Sequence, residues 1–332
     1  RSMSSVMRAG YRIKNKTTAH ESMTYEKFLQ KGEGRELCEG AKDSGAMAVI
    51  VYTSGTTGEP KGVCLSSDNM NALVAELMLT DRKYQRGDVC LLCIPPFFGF
   101  GISMMHLCIS TGMNSDLFIV FESDAVGKEF GKIIPNRFVT GPSMLGGIMK
   151  WADKDLSRCI EFTGGGAEIA SEKEAEFNNF LREHNSKAKY LTGYGMTELG
   201  SVAIVNMMHA YRQGSLGVPL IYSTVRIEDV DTQKELPYGE VGEICIHSPS
   251  LMMGYFKNEA ATAGTVQIDE KGLRWMRTGD LGYVDKDGFV YTTGRIKRIY
   301  ATQWKDSIYK IFSQRIEELF TTIAQVDRGG CA

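Results

Sequence analysis

The chain has 332 residues, enough for two domains or one large one, and its 43% apolar and 23% charged residues suit a soluble globular protein. A formal net charge of -2 leaves no basic field to hold nucleic acid or an anionic membrane. The longest apolar runs are too short to span a bilayer, so integral membrane association is not expected.

Residues 1–22 are basic and polar without clear periodicity, and "SMTYEKFLQKG" (22–32) predicts a short helix. "AMAVIVYT" (46–53) predicts a buried strand by its length and β-branching. It runs into "SGTTGEPKGV", a loop of hydroxyls and glycines that ends on Lys61. Ser66, Ser67 and Asp68 offer N-caps for a helix through "MNALVAELMLTDRKY" that stops near Gly87. "VCLLCI" (89–94) reads as a second buried strand, followed by Pro95, Pro96 and a glycine-aromatic loop, "FFGFG". "MNSDLFIVF", "NRFVTGPSML", "CIEFTGGGAEI" and "KYLTGYGMTE" each read as a strand ending in a turn or loop. "ASEKEAEFNNFLREH" between the last two reads as an exposed helix. This alternation up to about Glu198 predicts a doubly wound, mostly parallel sheet.

Past Gly214 the texture changes to short strands and turns: "STVRIEDV", "EVGEICIHS" and "LGYVDKDGFVYTTG", with Asp287-Gly288 as a hairpin signal. An all-β region is expected over 214–296, then a capped amphipathic helix over 313–326. The chain opens at Arg1 without a methionine and stops at "VDRGGCA", so both ends look cut.

The loop after the first strand carries the main chemical signal. Glycines let the backbone turn and approach a ligand closely. Hydroxyls and N–H groups facing one concavity suit phosphate oxygens, and Lys61 adds a full positive charge. The string is not a Walker A loop, because Gly58 and Lys61 are three apart and Gly62 follows the lysine. A generic Ser/Thr/Gly loop is ordinarily a plain surface loop. This one is longer and resembles something specific. "YTSGTTGEPKGV" is similar to the phosphate-loop signature of the adenylate-forming superfamily of acyl-CoA synthetases, aryl-CoA ligases, luciferases and peptide-synthetase adenylation domains. "GYGMTE" (193–198), "GEICIHSPSLMMGYFKNEAAT" (242–262) and "RTGDLGYVDKDGFVYTTGRIK" (277–297) follow in that family's order. The resemblance covers Ala46 to the C-terminus, the middle of a full member.

The resemblance implies the adenylate-forming enzyme fold: doubly wound sheets plus a β-barrel-like subdomain, then the start of a small mobile C-terminal α+β domain, with the chain truncated at both ends. The expected division is a large ATP- and acyl-binding domain over 1–296 and a hinge with the start of the small domain over 297–332. Within the large domain, residues 1–213 form the α/β region and residues 214–296 the β subdomain. The implied activity is ATP-dependent activation of a fatty or aryl carboxylic acid to acyl-AMP, with release of pyrophosphate. Transfer to coenzyme A follows, making the chain an acid–thiol ligase of the cytoplasm. An acyl carrier protein is the alternative acceptor, and a nucleotide-binding module without turnover is the rival of another class. A carboxylate is already ionised near neutral pH, so the reaction needs charge neutralisation and positioning rather than a general base.

By resemblance, Thr53, Ser54, Gly55, Thr56, Thr57, Gly58 and Lys61 close over the β- and γ-phosphates. Tyr194 stacks on adenine beside Gly195, Thr197 bonds the α-phosphate, and Glu198 holds Mg²⁺. Asp280 and Arg295 take the ribose, and Gly164, Gly165, Gly166 and Ala167 flank adenine and the acyl group. Lys61, Thr197 and Glu198 are the implied catalytic set. The acyl pocket is assigned to Phe98, Gly99, Gly193, Met196 and Val202, with Met104 and Met105 as further candidates. Phe98 stands where many members place histidine, which predicts a more apolar pocket. Lys297 falls at the hinge. The segment after it, "RIYATQWKDSIYKIFSQRIEE", is longer than members carry and lacks their turn glycine.

Other patterns carry less. Cys90 and Cys93 form a C-x-x-C, but strand positions i and i+3 face opposite sides, and buried structural thiols in a reducing compartment are expected. Asp229, Asp231 and Glu240 match EF-hand positions, yet Lys234 stands where glycine is required, so calcium is rejected. Gly99-Phe100-Gly101 lacks the third glycine of a dinucleotide fingerprint. The five histidines show no metal-ligand spacing.

Overall fold

The computed structural model describes residues 24–35, 43–53, 60–120, 122–167, 169–296, 299–304 and 307–312. The chain falls into two compact units, Arg1–Asp43 and Ser44–Ala332. In the first, α1 (Tyr25–Gly32) begins where the Thr24 side chain accepts from the Lys27 N–H.

The second unit follows the chain as β1 (Met47–Thr53), β2 (Lys61–Ser66), α2 (Ser67–Met78), β3 (Val89–Leu92), α3 (Gly99–Thr111) and β4 (Asn114–Leu117). Next come α4 (Ser123–Ile133), β5 (Arg137–Thr140), α5 (Leu145–Trp151), β6 (Glu161–Gly164), α6 (Ser171–Glu183), β7 (Tyr190–Tyr194), β8 (Ile204–Val205) and β9 (Val218–Pro219). The remainder is β10 (Thr224–Glu228), β11 (Gly242–His247), β12 (Gly254–Tyr255), α7 (Glu259–Ala263), β13 (Val266–Ile268), β14 (Arg274–Val284), β15 (Val290–Arg295), β16 (Ile299–Trp304) and β17 (Ser307–Phe312).

A seven-stranded sheet runs β4-β3-β5-β6-β7-β8-β9, parallel from β4 to β7 and antiparallel beyond. Its inner strands β3, β5 and β6 are buried on both faces, which explains their mostly apolar reading, whereas the edge strand β4 is exposed. On one face Leu91, Phe138, Phe162 and Tyr190 meet Phe130 of α4, Ile148 of α5 and Phe177 of α6. Edge-on aromatic contacts tie that layer together: Phe130–Phe138 and Phe162–Phe177 centroids are both 5.3 Å apart. On the other face Cys90, Leu92 and Val139 meet Leu73 and Leu77 of α2 and Met104 and Leu107 of α3. Helices on both faces make the sheet doubly wound, as the alternation predicts. Cys90 and Cys93 pack into opposite layers, both as buried free thiols.

The later strands form an antiparallel sheet, β10-β11-β14-β13, with β15 paired to β14, and a small sheet β1-β2-β12. One core joins them: Val63 and Leu65 of β2, Ile244 and Ile246 of β11, and Met276 of β14.

Several expectations shift. The strand β2 was hidden after the glycine loop, where "KGVCLS" is short and follows a strong turn signal. The helix α2 carries the expected cap, a reciprocal pair between Ser66 and Asn69. It ends at Met78 rather than near Gly87, and leaving the helix lets Arg82 turn inward onto Glu161. The segment "GFG" is the first turn of α3, not a loop. A Cβ at Gly101 would sit 2.0 Å from the Pro95 carbonyl oxygen, so that close approach requires glycine. The helix α6 is not simply exposed, since Glu174, Phe177 and Leu181 are buried. The short α7 interrupts the region expected to be all-β. The strands β16 and β17 pair antiparallel, Ile299 opposite Phe312. The helix expected over 313–326 lies outside the described residues.

Candidate functional site

Thr53 ends β1 and Lys61 starts β2, and the two face each other in register. The Thr53 hydroxyl donates to the Lys61 carbonyl at 3.5 Å. The two ends of the hydroxyl-rich loop are therefore held together by the sheet. Ser54, Gly55, Thr56, Thr57 and Gly58 lie outside the described residues, as does Lys297.

The Lys61 ammonium lies 4.9 Å from the centre of the Tyr255 ring, within cation–π range. The Tyr255 hydroxyl donates to Glu198 Oε1 at 2.7 Å. Burial and the Glu198 carboxylate push the Tyr255 phenol up, so it stays protonated as a donor. One tyrosine thus links the candidate cation to the candidate metal-binding carboxylate. Backbone pairing reinforces the link: the Met252 N–H donates to the Glu198 carbonyl at 2.8 Å, and β12 pairs with β2. Among the described residues no group of three or more His, Cys, Asp or Glu side chains gathers as a metal site. A lone carboxylate suits Mg²⁺, which takes most of its ligands from bound phosphates and water.

A second cluster sits across β7, β14 and β15. Asp280 is buried, accepts from the Tyr194 hydroxyl at 2.6 Å and pairs with Arg295 Nε at 2.7 Å. Asp280 and Arg295 are directly opposed in the β14–β15 register. Glu243 accepts from Arg277 Nε and from the Gly279 N–H, which fixes the backbone entering Asp280. Burial, then the Asp280 charge, hold Tyr194 well above the usual tyrosine range. Each Asp280 oxygen keeps a lone pair beyond the bond it makes, so two further donors could be accepted.

The third feature is a cavity of about 780 Å³ between the seven-stranded sheet and helices α2 and α3. That volume suits a drug-sized ligand. Of the candidate residues, Phe98, Gly99, Gly164, Gly165, Gly166, Ala167, Gly193, Gly195, Met196, Thr197 and Val202 line it. Met104 lines it as well, and Met105 does not. A Cβ at Gly99 would lie 2.9 Å from Thr197 Oγ1, so the glycine lets α3 press onto the loop that carries Thr197. Phe98 precedes α3 and is 47% exposed, at the end of the helix rather than deep in the cavity. Thr53, Lys61, Tyr194, Glu198, Asp280 and Arg295 are not among the residues of this lining. They form the two clusters above, joined to the cavity by residues 194–198.

The cavity walls are largely apolar, though not throughout. Arg82, Tyr84, Arg137 and Glu161 also line the cavity, and none was singled out from the sequence. The available signal was a charge at the start of two strands of a buried parallel sheet, Arg137 and Glu161. Tyr255 was missed too, although it stands inside one of the family motifs.

The profile of the family described as AMP-binding enzyme matches residues 7–256. Over 262 residues the chain is 34% identical to a 4-coumarate–CoA ligase-like protein of Arabidopsis thaliana, covering 76% of this chain and 44% of that one. It is 31% identical to a 4-coumarate–CoA ligase of Pinus taeda, covering 76% and 48%. The chain spans about half the length of the curated relatives it matches. Among solved structures, O-succinylbenzoate coenzyme A synthetase of Bacillus subtilis in complex with AMP superposes with a TM-score of 0.73 at 25% identity, covering 86% of this chain and 56% of that one. ATP-bound MatB of Rhodopseudomonas palustris gives 0.77 at 22% identity, covering 91% and 58%, a likeness of fold.

Proposed function

Because the chain belongs to the AMP-binding enzyme family, we propose that it is the ATP- and acid-binding portion of an AMP-forming acid–thiol ligase. The observation that carries this is the Lys61–Tyr255–Glu198 link beside a cavity whose rim is glycine and Thr197. A cation, a carboxylate and an acyl-sized cavity are what phosphoanhydride chemistry on a carboxylic acid needs.

In this reading a carboxylate oxygen of the acid, held in the cavity, attacks the α-phosphorus of ATP. The bond to the bridging oxygen breaks and pyrophosphate leaves, giving acyl-AMP. The loop from Thr53 to Lys61 covers the β- and γ-phosphates, and the Lys61 ammonium offsets their charge. Thr197 donates to the α-phosphate from the cavity rim. Glu198, oriented by Tyr255, would hold Mg²⁺, which supplies charge neutralisation on the phosphates. Tyr194 and Gly195 flank the adenine, and Asp280 with Arg295 takes the ribose hydroxyls. In the second step a thiol sulfur attacks the acyl carbon, the bond to AMP breaks, and the thiol proton goes to solvent. Lys297 is the hinge of the rearrangement between the steps, and residues beyond it begin the small domain.

Relatives named as CoA ligases support coenzyme A as the acceptor and a fatty or aryl acid as substrate. Buried free thiols such as Cys90, Cys93 and Cys159 suit the reducing cytoplasm. No helix among the described residues is long and apolar enough to cross a membrane. The test is acid-dependent exchange of labelled pyrophosphate into ATP, over a broad panel of carboxylic acids and with the full-length protein. Exchange with none of them defeats the proposal. Competition between free coenzyme A and a phosphopantetheinyl carrier protein then identifies the acceptor.

A further inference from the structure

We infer that Ser250 is a positioning residue for the adenylation step: its hydroxyl, the last link of a buried chain that begins at Glu76 on α2, holds the turn that carries Thr197 and Glu198. The inference rests on the acid-activating reading above and deepens it.

Thr197, Glu198 and Leu199 form a single 3-10 turn that ends at Gly200, whose φ is 72°. So short a turn has few bonds of its own to fix it. Its carbonyls are held from outside instead, one after another. The Met252 N–H donates to the Glu198 carbonyl at 2.8 Å, and the Ser250 hydroxyl donates to the Leu199 carbonyl at 3.0 Å. The Ser103 hydroxyl of α3 donates to the Gly200 carbonyl at 2.5 Å. Two of these donors belong to the segment 248–252, which is itself tied to α2. Asn69 Nδ2 donates to the carbonyls of Pro249 and Leu251 at 3.1 and 3.0 Å.

Each hydroxyl has one proton to give, and that sets the direction of the chain. Ser250 gives its own to Leu199, so Ser248 is the donor in the 2.7 Å contact between the two serines. Ser248 Oγ accepts from the Ser250 N–H at 3.1 Å and keeps one lone pair. The Glu76 carboxyl lies beside that hydroxyl. One Glu76 oxygen accepts from Ser223, while Oε2 is buried with no hydrogen-bond partner among the described residues.

Burial pushes the Glu76 carboxyl up to about 7, and among the described residues no charge acts on it, only the hydroxyls of Ser223 and Ser248. When protonated, Oε2 is a donor for the free lone pair of Ser248, and every O–H from Glu76 to Ser250 then runs toward Leu199. When ionised, the carboxylate draws the Ser248 proton to itself, and Ser250 loses the donor that orients it. Aligned hydrogen bonds strengthen one another, so the grip on the turn is firmest with Glu76 protonated. The chain touches neither the acid nor the nucleotide. Its effect is on placement, to which a reaction without a general base is sensitive.

The experiment measures acid-dependent pyrophosphate exchange by the full-length protein, below the Tm of every variant, and separates kcat from the KM for the acid. Ser186→Ala is the control, because Ser186 is also buried and also donates to a backbone carbonyl, that of Cys159 at 2.9 Å, away from the cavity lining. Ser250→Ala is expected to lower kcat about tenfold and to leave the acid KM within about twofold, whereas Ser186→Ala lowers Tm and leaves kcat unchanged. Wild-type kcat, divided by that of Glu76→Gln, is expected to fall about twofold or more between about pH 6 and about pH 8. Where Ser250→Ala does not fold, Ser248→Ala takes its place: it keeps the bond to Leu199, removes the donor behind it, and is expected to lower kcat about threefold. An unchanged kcat in the serine variant, an equal fall in Ser186→Ala, or a wild-type profile parallel to that of Glu76→Gln overturns the inference alone. Absence of exchange by the wild type with every acid overturns the acid-activating reading and this inference with it.

Discussion

Glu76 offers a stability test with a definite sign. It lies on α2, is 1% exposed, and accepts from the Ser223 hydroxyl at 2.8 Å. Burial pushes its carboxyl from an ordinary 4.5 up to about 7, and the hydroxyls of Ser223 and Ser248 only partly oppose that. Between those values the folded chain holds a proton that the unfolded chain has released. Stability is therefore intact below about 4.5, falls as pH rises, and levels off above about 7. A gap of about 2.5 pH units corresponds to about 3 kcal/mol as a ceiling. Glu76→Gln keeps the shape and the acceptor but cannot ionise. Urea unfolding of both proteins from pH 5 to 8 isolates the effect, because every other titrating group is common to the pair. The wild type is expected to lose about 2–3 kcal/mol relative to the variant across that range. A difference that stays within about 0.5 kcal/mol at all pH values refutes the reasoning.

Gly101→Ala drives a methyl group toward the Pro95 carbonyl oxygen and is expected to cost about 1–3 kcal/mol, read as a lower Tm. Tyr255→Phe removes the donor that orients Glu198 and is expected to slow pyrophosphate exchange about tenfold with little change in Tm; an unchanged rate detaches Tyr255 from the chemistry. Asp280→Asn weakens the pair with Arg295 and, if Asp280 takes the ribose hydroxyls as proposed, is expected to loosen AMP binding about tenfold by calorimetry.

The parallel sheet was legible because strands such as Val89–Leu92 and Arg137–Thr140 are buried on both faces and flanked by turn residues. The same compactness hid α4 and α5, whose glycines at 127 and 147 lower helix propensity. Those glycines serve packing: a Cβ on Gly127 would sit 2.0 Å from the Gly147 carbonyl oxygen. Long-range contacts override local preference there. At the candidate site, Lys61, Glu198 and Asp280 were found by likeness to known motifs, and their surroundings were not. Tyr255 meets Glu198 across 57 residues and Tyr194 meets Asp280 across 86, distances no local pattern reports. The charged end of the cavity was obscured because Arg137 and Glu161 begin their strands, where a charge normally reads as solvated.

The rung formed by Thr53 and Lys61 separates two tasks usually entangled in one loop. The ammonium is positioned by strand pairing, whatever the peptide between the two residues does. Lengthening that peptide twofold adds only about 0.6 kcal/mol of closure entropy. The connecting segment is thus a site for grafting: an epitope or a fluorophore inserted there would leave the lysine at its post.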